Sequence, residues 1–375
     1  MDPFPGSARP MVREMLKVVD GGRVQMKISV IIPCRNERAH IGEFLDSLLE
    51  QDLPLAWTWE VLVADGMSDD GTREVLRDYI RRNPLVRMID NPGRIVSSGL
   101  NEAIAASTGD VIIRLDAHTI YARDYVRQCV EVLEESAADN VGGPWVARGR
   151  GPVGEAIAAA FQSPFCAGGG RAHRLDFEGD VDTVYLGCWP RGVFERIGLF
   201  DANLVRNQDD EFNFRLRRAG GRIFQSPRIR SWYTPRSSIT ALFRQYLQYG
   251  FWKVVVMRKH GAVAAWRHLV PALFVLSILA GMLGVALALV FDWNVAARLL
   301  SFALAAELSV YGIACVAAAV PWSRKLSAFP LALLPGIIAV HHVAYGSGFL
   351  LGLIRPAPAS MATAPASGVF TALTR

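Results

Sequence analysis

The sequence has little of what marks several protein classes. Five cysteines occur in 375 residues, with no C-x-x-C pair. Cys34, Cys129, Cys166, Cys188 and Cys315 are scattered and odd in number, which argues against a disulfide framework and fits no zinc template. They read as reduced thiols in a body that faces the cytosol. Residues 1–26 contain no unbroken apolar core of signal-peptide length and read as a flexible arm. Charged residues make up only 20% of the chain. The net charge of +5 comes without a dense Lys/Arg tract interleaved with aromatics, so nothing points to nucleic acid. That basicity suits a phosphate-rich ligand or an anionic membrane surface instead.

Charge is scarcest in the last third. Residues 269–291 hold none, residues 295–320 hold only Arg298 and Glu307, and residues 328–354 hold no Lys, Arg, Asp or Glu. About 20 apolar residues span a bilayer. Three transmembrane helices are therefore expected, with Pro271 and Pro335 tolerated inside them. Arg244, Lys253, Arg258, Lys259 and Arg267 precede the first span, and Arg324 and Lys325 lie between the second and third. The positive-inside rule then places residues 1–268 in the cytoplasm. Residues 236–268 mix aromatic and basic side chains and read as an amphipathic interfacial segment. Residues 355–375, rich in Pro, Ala, Ser and Thr, read as a disordered tail.

What is present upstream is alternation. Ile28–Ile32, Glu60–Ala64, Val86–Ile89 and Val111–Leu115 are strand-like runs. Between them, Ile41–Leu49, Thr72–Arg82 and Ser97–Ser107 follow helical spacing. This predicts an α/β fold, a mostly parallel sheet with helices on both faces, over residues 27–145. Residues 146–235 are less regular, and Gly149–Gly154 and Gly168–Gly170 read as loops. In such sheets ligands bind outside the carboxyl ends of the strands.

Four polar clusters fall at those ends. They are Pro33-Cys34-Arg35-Asn36-Glu37, then Asp65-Gly66-Met67-Ser68-Asp69-Asp70, then Asn91-Pro92-Gly93-Arg94 with Asn101 beyond it, and finally Asp116-Ala117-His118. Any one alone is an ordinary turn or cap. Asp-x-His also brings an oxygen and an imidazole to the sheet rim, a pair that can hold a divalent cation against a diphosphate. The ordered set resembles glycosyltransferase family 2, which has the Rossmann-like GT-A fold, over about residues 27–235. His118 stands where the family usually has a second Asp. That variant, together with Asn207–Glu211 and the C-terminal spans, resembles the succinoglycan-biosynthesis, ExoA-type glucosyltransferases.

The resemblance implies a UDP-sugar held by Pro33, Asn36, Glu37, Asp65, Ser68, Gly93, Arg94, Asn101 and Asp116. Carboxylates such as Glu37 and Asp65 only accept hydrogen bonds, which suits a base imide and ribose hydroxyls. Asp116 and His118 would hold Mg²⁺ or Mn²⁺, with the imidazole favouring Mn²⁺. Asp209, in Gln208-Asp209-Asp210-Glu211, aligns with the catalytic base, and Asp210 and Glu211 would support it by like-charge repulsion. Trp189 and Arg191 would shape the acceptor side. The implied activity is inverting transfer of a hexose, glucose foremost, to a polyprenyl-diphosphate-linked glycan during exopolysaccharide assembly. Membrane lipids and other polysaccharide-assembly enzymes are the implied partners, at the inner membrane. Two rival readings stand beside it: a processive polysaccharide synthase and a membrane-anchored nucleotide-sugar-binding scaffold without turnover.

Overall fold

Short β-branched runs build the sheet because both of its faces are covered. In the computed structural model, which describes residues 17–19, 23–262, 265–355 and 370, the chain divides into two units. Of the described residues, the first comprises those up to 146 together with 171–233, and the second comprises 147–170 and those from 234 onward. Part of the expected N-terminal arm is strand: β1 (Lys17–Val19) pairs antiparallel with β2 (Arg23–Cys34). Most of the expected C-terminal tail lies outside the described residues.

The parallel half of the sheet forms as the alternation predicts. After β2 come α1 (Ile41–Leu49), β3 (Trp57–Asp65), α2 (Thr72–Arg82), β4 (Val86–Asp90), α3 (Val96–Ala106) and β5 (Val111–Arg114). Strands β4, β3, β2 and β5 lie side by side and parallel. Period-two alternation sends Val30, Val61 and Ile113 to one core and Ile31, Leu62 and Ile112 to the other. All are fully buried. Each such side chain contributes roughly 1.5–3 kcal/mol on leaving water.

The second half is mixed rather than parallel. Next in the chain are β6 (Thr119–Tyr121), α4 (Tyr125–Ser136), β7 (Asn140–Gly143), β8 (Val146–Ala147), α5 (Gly151–Gln162), α6 (Pro164–Ala167), β9 (Gly179–Asp180) and β10 (Tyr185–Pro190). Then follow α7 (Gly192–Ile197), α8 (Gln208–Arg218), β11 (Ile223–Gln225) and β12 (Ser231–Tyr233). The sheet runs β4-β3-β2-β5-β10-β7-β11-β9, and β10 is antiparallel to both of its neighbours. A separate three-stranded sheet runs β6-β12-β8. Residues 151–162, expected as part of an irregular loop region, form α5, which opens on Gly151-Pro152 with Pro near the first position, where its missing N–H costs nothing. Residues 147–170 belong to the second unit, not to the sheet unit as the sequence boundary at 235 implied.

The second unit is helical. It continues with α9 (Ile239–His260), α10 (Val270–Val290), α11 (Asn294–Ala319) and α12 (Ala328–Ile354). Among the described residues, three helices are long and apolar enough to cross a membrane, spanning 266–290, 294–322 and 328–354. α9 is not a helix with one face left to lipid throughout. It packs lengthwise on α12, burying Gln245, Gln248, Phe251, Trp252 and Lys253. Glycines permit the approach: a Cβ on Gly250 would sit 2.1 Å from the Tyr345 carbonyl oxygen, and one on Gly348 would sit 2.0 Å from that of Leu247. Small residues at such crossings let backbones touch.

Candidate active site

Sheet register brings the four motif clusters to one edge. Cys34 pairs with Asp65 and Asp65 with Asp90, while Ile31 pairs with Arg114. The carboxyl ends of β2, β3 and β4 are therefore level, and β5 stops three residues short of the end of β2. Leu115 and Asp116 continue from β5 toward that edge.

The first two loops are clasped together. Asn36 takes a left-handed φ of 54°, a conformation that Asn tolerates better than most residues. Its N–H donates to Ser68 Oγ at 2.9 Å, its Nδ2 donates to Asp69 Oδ1 at 3.0 Å, and Asp69 N–H donates back to Asn36 Oδ1 at 3.1 Å. Pro33 pairs with Ala64 in the ladder, and Glu37 N–H donates to Thr72 Oγ1 at 2.9 Å. Asp65 is fully buried, and its carboxylate accepts from Ser68 Oγ (2.5 Å), Ser68 N–H (3.1 Å) and Arg73 Nη1 (2.7 Å). Arg73 also reaches Asp90 at 2.7 Å, so one guanidinium ties the ends of β3 and β4. Three of the roughly four acceptor positions on Asp65 are thus taken within the protein.

The third loop is shaped by its own side chains. Asn91 donates to the Ile95 carbonyl and accepts from Ser98 Oγ, and a Cβ on Gly93 would lie 2.4 Å from that hydroxyl. Arg94 is exposed, with a left-handed φ of 60°. Asn101 faces elsewhere: it donates to the Phe200 carbonyl and accepts from Phe200 N–H, while Ser97 Oγ donates to the Leu204 carbonyl. These bonds pin residues 200–204 to α3, just ahead of the helix that carries Asp209. The structure gives Asn101 that anchoring place.

Asp116 and His118 stand at the end of β5. The Asp116 N–H donates to Tyr121 Oη at 2.8 Å, and its carboxylate accepts from Arg114 Nε at 3.2 Å and Nη2 at 3.4 Å. His118 Nδ1 lies 3.8 Å from Glu37 Oε1, and its ring meets Tyr233 edge-on at 5.9 Å. Tyr185 bonds Thr119 Oγ1 at 2.8 Å and stacks on Trp145. Burial first, and then the Asp116 charge, push the Tyr121 and Tyr185 hydroxyls up, so both remain protonated.

Among the described residues, no three His, Cys, Asp or Glu side chains converge on a metal position. Asp116 and His118 offer two donors, one oxygen and one nitrogen, with side-chain exposures of 16% and 33%. A magnesium- or manganese-type site that fills the rest of its shell with substrate phosphates and water asks no more of the protein. The pair fits a metal that arrives with a diphosphate.

Asp209 and Asp210 occupy the first turn of α8, half-buried, and Asp209 Oδ1 accepts from Asp210 N–H at 2.9 Å. The left-handed Asn207, at φ 60°, sets the start of this helix. Glu211 does not join them. It is fully buried and forked onto Arg215, with Nε 2.9 Å from Oε1 and Nη2 3.0 Å from Oε2. Arg215 in turn donates to the Leu199 carbonyl at 2.7 Å. Glu211 is therefore tied to the preceding loop rather than offered to an acceptor.

The expected acceptor residues Trp189 and Arg191 are carried to the opposite edge. β10 runs antiparallel to β5, with Cys188 opposite Ile113 and Pro190 opposite Val111. Its start, Tyr185, reaches the site and its end does not. Trp189 is buried among Phe194, Phe200 and Phe212. Arg191 donates to the Gly109 carbonyl at 2.6 Å and to Ser107 Oγ at 2.8 Å, beside the amino end of β5. The side chains that do reach the site unannounced are Arg73, Arg114 and Tyr185. Arg114 carried a signal, because a charge inside a short apolar strand must be paired.

Comparison with known proteins agrees with this geometry. Residues 29–184 match the family described as Glycosyl transferase family 2. The chain is 31% identical over 324 residues to the succinoglycan biosynthesis protein ExoA of Rhizobium meliloti, covering 85% of this chain and 93% of that protein. It is 29% identical over 241 residues to a dolichyl N-acetyl-α-D-glucosaminyl phosphate 3-β-D-2,3-diacetamido-2,3-dideoxy-β-D-glucuronosyltransferase of Methanococcus voltae, covering 62% and 74%. A mannosyltransferase from Pyrobaculum calidifontis, solved with GDP-Man and Mn²⁺, superposes with a TM-score of 0.55 at 20% identity over 88% of this chain and 87% of that one, which shows the GT-A fold. The chain belongs to glycosyltransferase family 2.

Proposed function

We propose that this glycosyltransferase is an inverting, UDP-sugar-dependent hexosyltransferase. It transfers a hexose, glucose foremost, to a polyprenyl-diphosphate-linked glycan in exopolysaccharide assembly. The observation that carries the reading is the clasp of the β2 and β3 loops, Asn36 with Ser68 and Asp69, beside the end of β5, where Asp116 bonds Arg114. Asp209 opens α8.

In this reading the nucleotide lies over the clasped loops of β2 and β3, with Glu37, Asp65, Ser68 and Arg94 around it. Asp116 and His118 would hold Mg²⁺ or Mn²⁺, which when bound would supply charge neutralisation at the diphosphate. Asp209 accepts the proton of the acceptor hydroxyl as its oxygen attacks the anomeric carbon from the face opposite the leaving group. The new glycosidic bond forms as the bond to the UDP oxygen breaks, and the configuration inverts. Asp210 borders the acceptor. The Mn²⁺ of the Pyrobaculum mannosyltransferase supports the metal, and the dolichyl-linked substrate of the Methanococcus relative supports a lipid-borne acceptor.

The apolar helices keep this site beside that lipid, which raises the effective concentration of acceptor. By the positive-inside rule the catalytic unit faces the cytoplasm, and α9 lies close to the membrane interface. The test is a donor screen: membranes containing the chain, offered labelled UDP-, GDP- and TDP-sugars. A single sugar added to the lipid fraction from UDP-glucose is the expected result. A long polymer would favour a processive synthase. Metal-dependent UDP binding with neither transfer nor hydrolysis would reduce the chain to a scaffold.

A further inference from the structure

The 27 residues of α12 have the length and apolarity of a membrane span, but this helix keeps different company from α10 and α11. Those two pair as an antiparallel hairpin. Ser277 Oγ donates to Glu307, the Phe274 and Tyr311 rings lie 4.2 Å apart, and Gly281 and Gly284 face Leu304 and Leu300. Only 11% and 6% of their most apolar stretches are buried in the protein, which leaves the rest to lipid, against 44% for α12.

The cover on α12 comes from segments that precede the first span. Phe161 of α5 meets His341 edge-on at 5.3 Å. His342 Nε2 donates to the Phe165 carbonyl of α6 at 3.2 Å, which leaves Nδ1 to accept from Tyr311 Oη at 2.9 Å. Further along, α9 runs beside α12 in the same direction. Leu247 meets Gly348, Phe251 and Val254 meet Gly352, and Arg258 Nη2 donates to the Leu353 carbonyl at 2.6 Å. Beyond α12, Trp252 Nε1 donates to the Phe370 carbonyl at 3.0 Å, and Phe370 stacks on Phe251 at 4.2 Å. Among the described residues, no helix before residue 266 is long and apolar enough to cross a membrane, so α5, α6 and α9 share one side of it.

The depths of the helices conflict with a third crossing. A Cβ on Gly346 would sit 2.2 Å from the Pro271 carbonyl oxygen, so residue 346 is level with the start of α10. The hairpin brings Tyr311 back level with Phe274, and Trp322, eleven residues on, lies roughly 10 Å outside the start of α10. Ala328 is six residues from Trp322, a reach of about 20 Å at most. A span entering at Ala328 would carry Gly346 about 27 Å deep, near the far side of a ~30 Å hydrocarbon core. Gly346 instead meets Pro271, and the Arg355 carbonyl accepts from Arg258 at 3.4 Å.

We infer that α12 does not cross the membrane: the chain crosses twice, through α10 and α11, and α12 stays on the side that holds α5 and α9. Its apolar composition follows, because protein covers one side of the helix and lipid the other. The basic residues around it then fall on one side, Arg324 and Lys325 before it and Arg355 after it, while the loop opposite holds Asp292. The inference needs no assumption about donor or acceptor.

The experiment labels the full chain in spheroplasts with a membrane-impermeant maleimide. Leu55→Cys reports on the chain before the first span, Trp293→Cys on the turn between α10 and α11, and Ser360→Cys on the chain beyond α12. Leu55 and Trp293 are exposed, and the parent, with its five free cysteines, sets the background. Trp293→Cys should label in intact spheroplasts, and Leu55→Cys and Ser360→Cys only after detergent opens the membrane. Labelling of Ser360→Cys together with Trp293→Cys in intact spheroplasts would make α12 a third span and overturn the inference. Trp293→Cys behaving like Leu55→Cys would also overturn it, since the hairpin would then not cross. Labelling of Leu55→Cys and Ser360→Cys in intact spheroplasts, with Trp293→Cys protected, would keep the two crossings and reject the cytoplasmic placement of the catalytic unit instead.

Discussion

Replacing Glu211 with glutamine separates a structural carboxylate from a chemical one. Glu211 is fully buried, and its two oxygens meet Arg215 at 2.9, 3.0 and 3.1 Å. Arg215 also lies over the Phe212 ring at 5.3 Å and donates to the loop carbonyl of Leu199. Removing one partner of a buried pair costs about 3–5 kcal/mol. Arg215 keeps 22% of its side chain exposed, so water relieves part of the stranded charge and the low end, about 3 kcal/mol, applies. At roughly 2–4 °C per kcal/mol for a domain of this size, the melting temperature should fall by about 6–12 °C. The readout is tryptophan fluorescence of the purified chain, followed by transfer kinetics well below the new midpoint. There, kcat should stay within about threefold of the parent, because the helix start that carries Asp209 is intact. Replacing both partners with methionine should recover most of the lost stability. An unchanged melting temperature together with a hundredfold loss of kcat would refute the reasoning and return Glu211 to the chemistry.

Trp189→Ala should destabilise the catalytic unit by about 3–5 kcal/mol, whereas Trp189→Phe should keep acceptor KM unchanged, because the ring packs in the core and not on a sugar; steady-state kinetics on both variants checks this. Gly348→Val should disrupt the contact between α9 and α12, since even a Cβ would lie 2.0 Å from the Leu247 carbonyl oxygen, and the loss should appear as a lowered yield of folded chain in detergent. For Glu60, burial raises the pKa, but hydrogen bonds from Ser29 and Thr108 and the charge of Arg87 outweigh it and leave it below 4.5. A carboxyl depressed in the folded state contributes stability that is present above its unfolded value and is lost as pH falls through the folded one. Melting temperature should therefore hold above about pH 4.5 and decline below it, and Glu60→Gln should flatten that acid limb.

Strands β2, β3 and β5 were legible because each holds a short apolar run buried on both faces, and their polar ends mark the edge where ligands bind. The direction of β10 was not. Tyr185–Pro190 reads as a strand in either sense, and only its pairing with β5 and β7 decides which end meets the site. That reversal moves Trp189 and Arg191 away and brings Tyr185 in. Glu211 misled for a helical reason: two residues turn a helix by about 200°, so Asp209 and Glu211 cannot share a face. α5 was obscured by the glycines and proline at its start. Arg114 was visible all along as a charge in an apolar run. What the chain alone could not supply was its partner, the carboxylate of Asp116 two residues downstream.

Asp209 bears the most weight, and one measurement addresses it directly. Membranes carrying the parent chain or Asp209→Asn are given labelled UDP-glucose and lipid-linked acceptor, and label entering the lipid fraction is timed in a single turnover. General-base catalysis typically contributes ~10²–10⁴-fold, so transfer should slow by at least about a hundredfold while UDP affinity stays unchanged. Transfer at the parent rate by Asp209→Asn would contradict the assignment of the base.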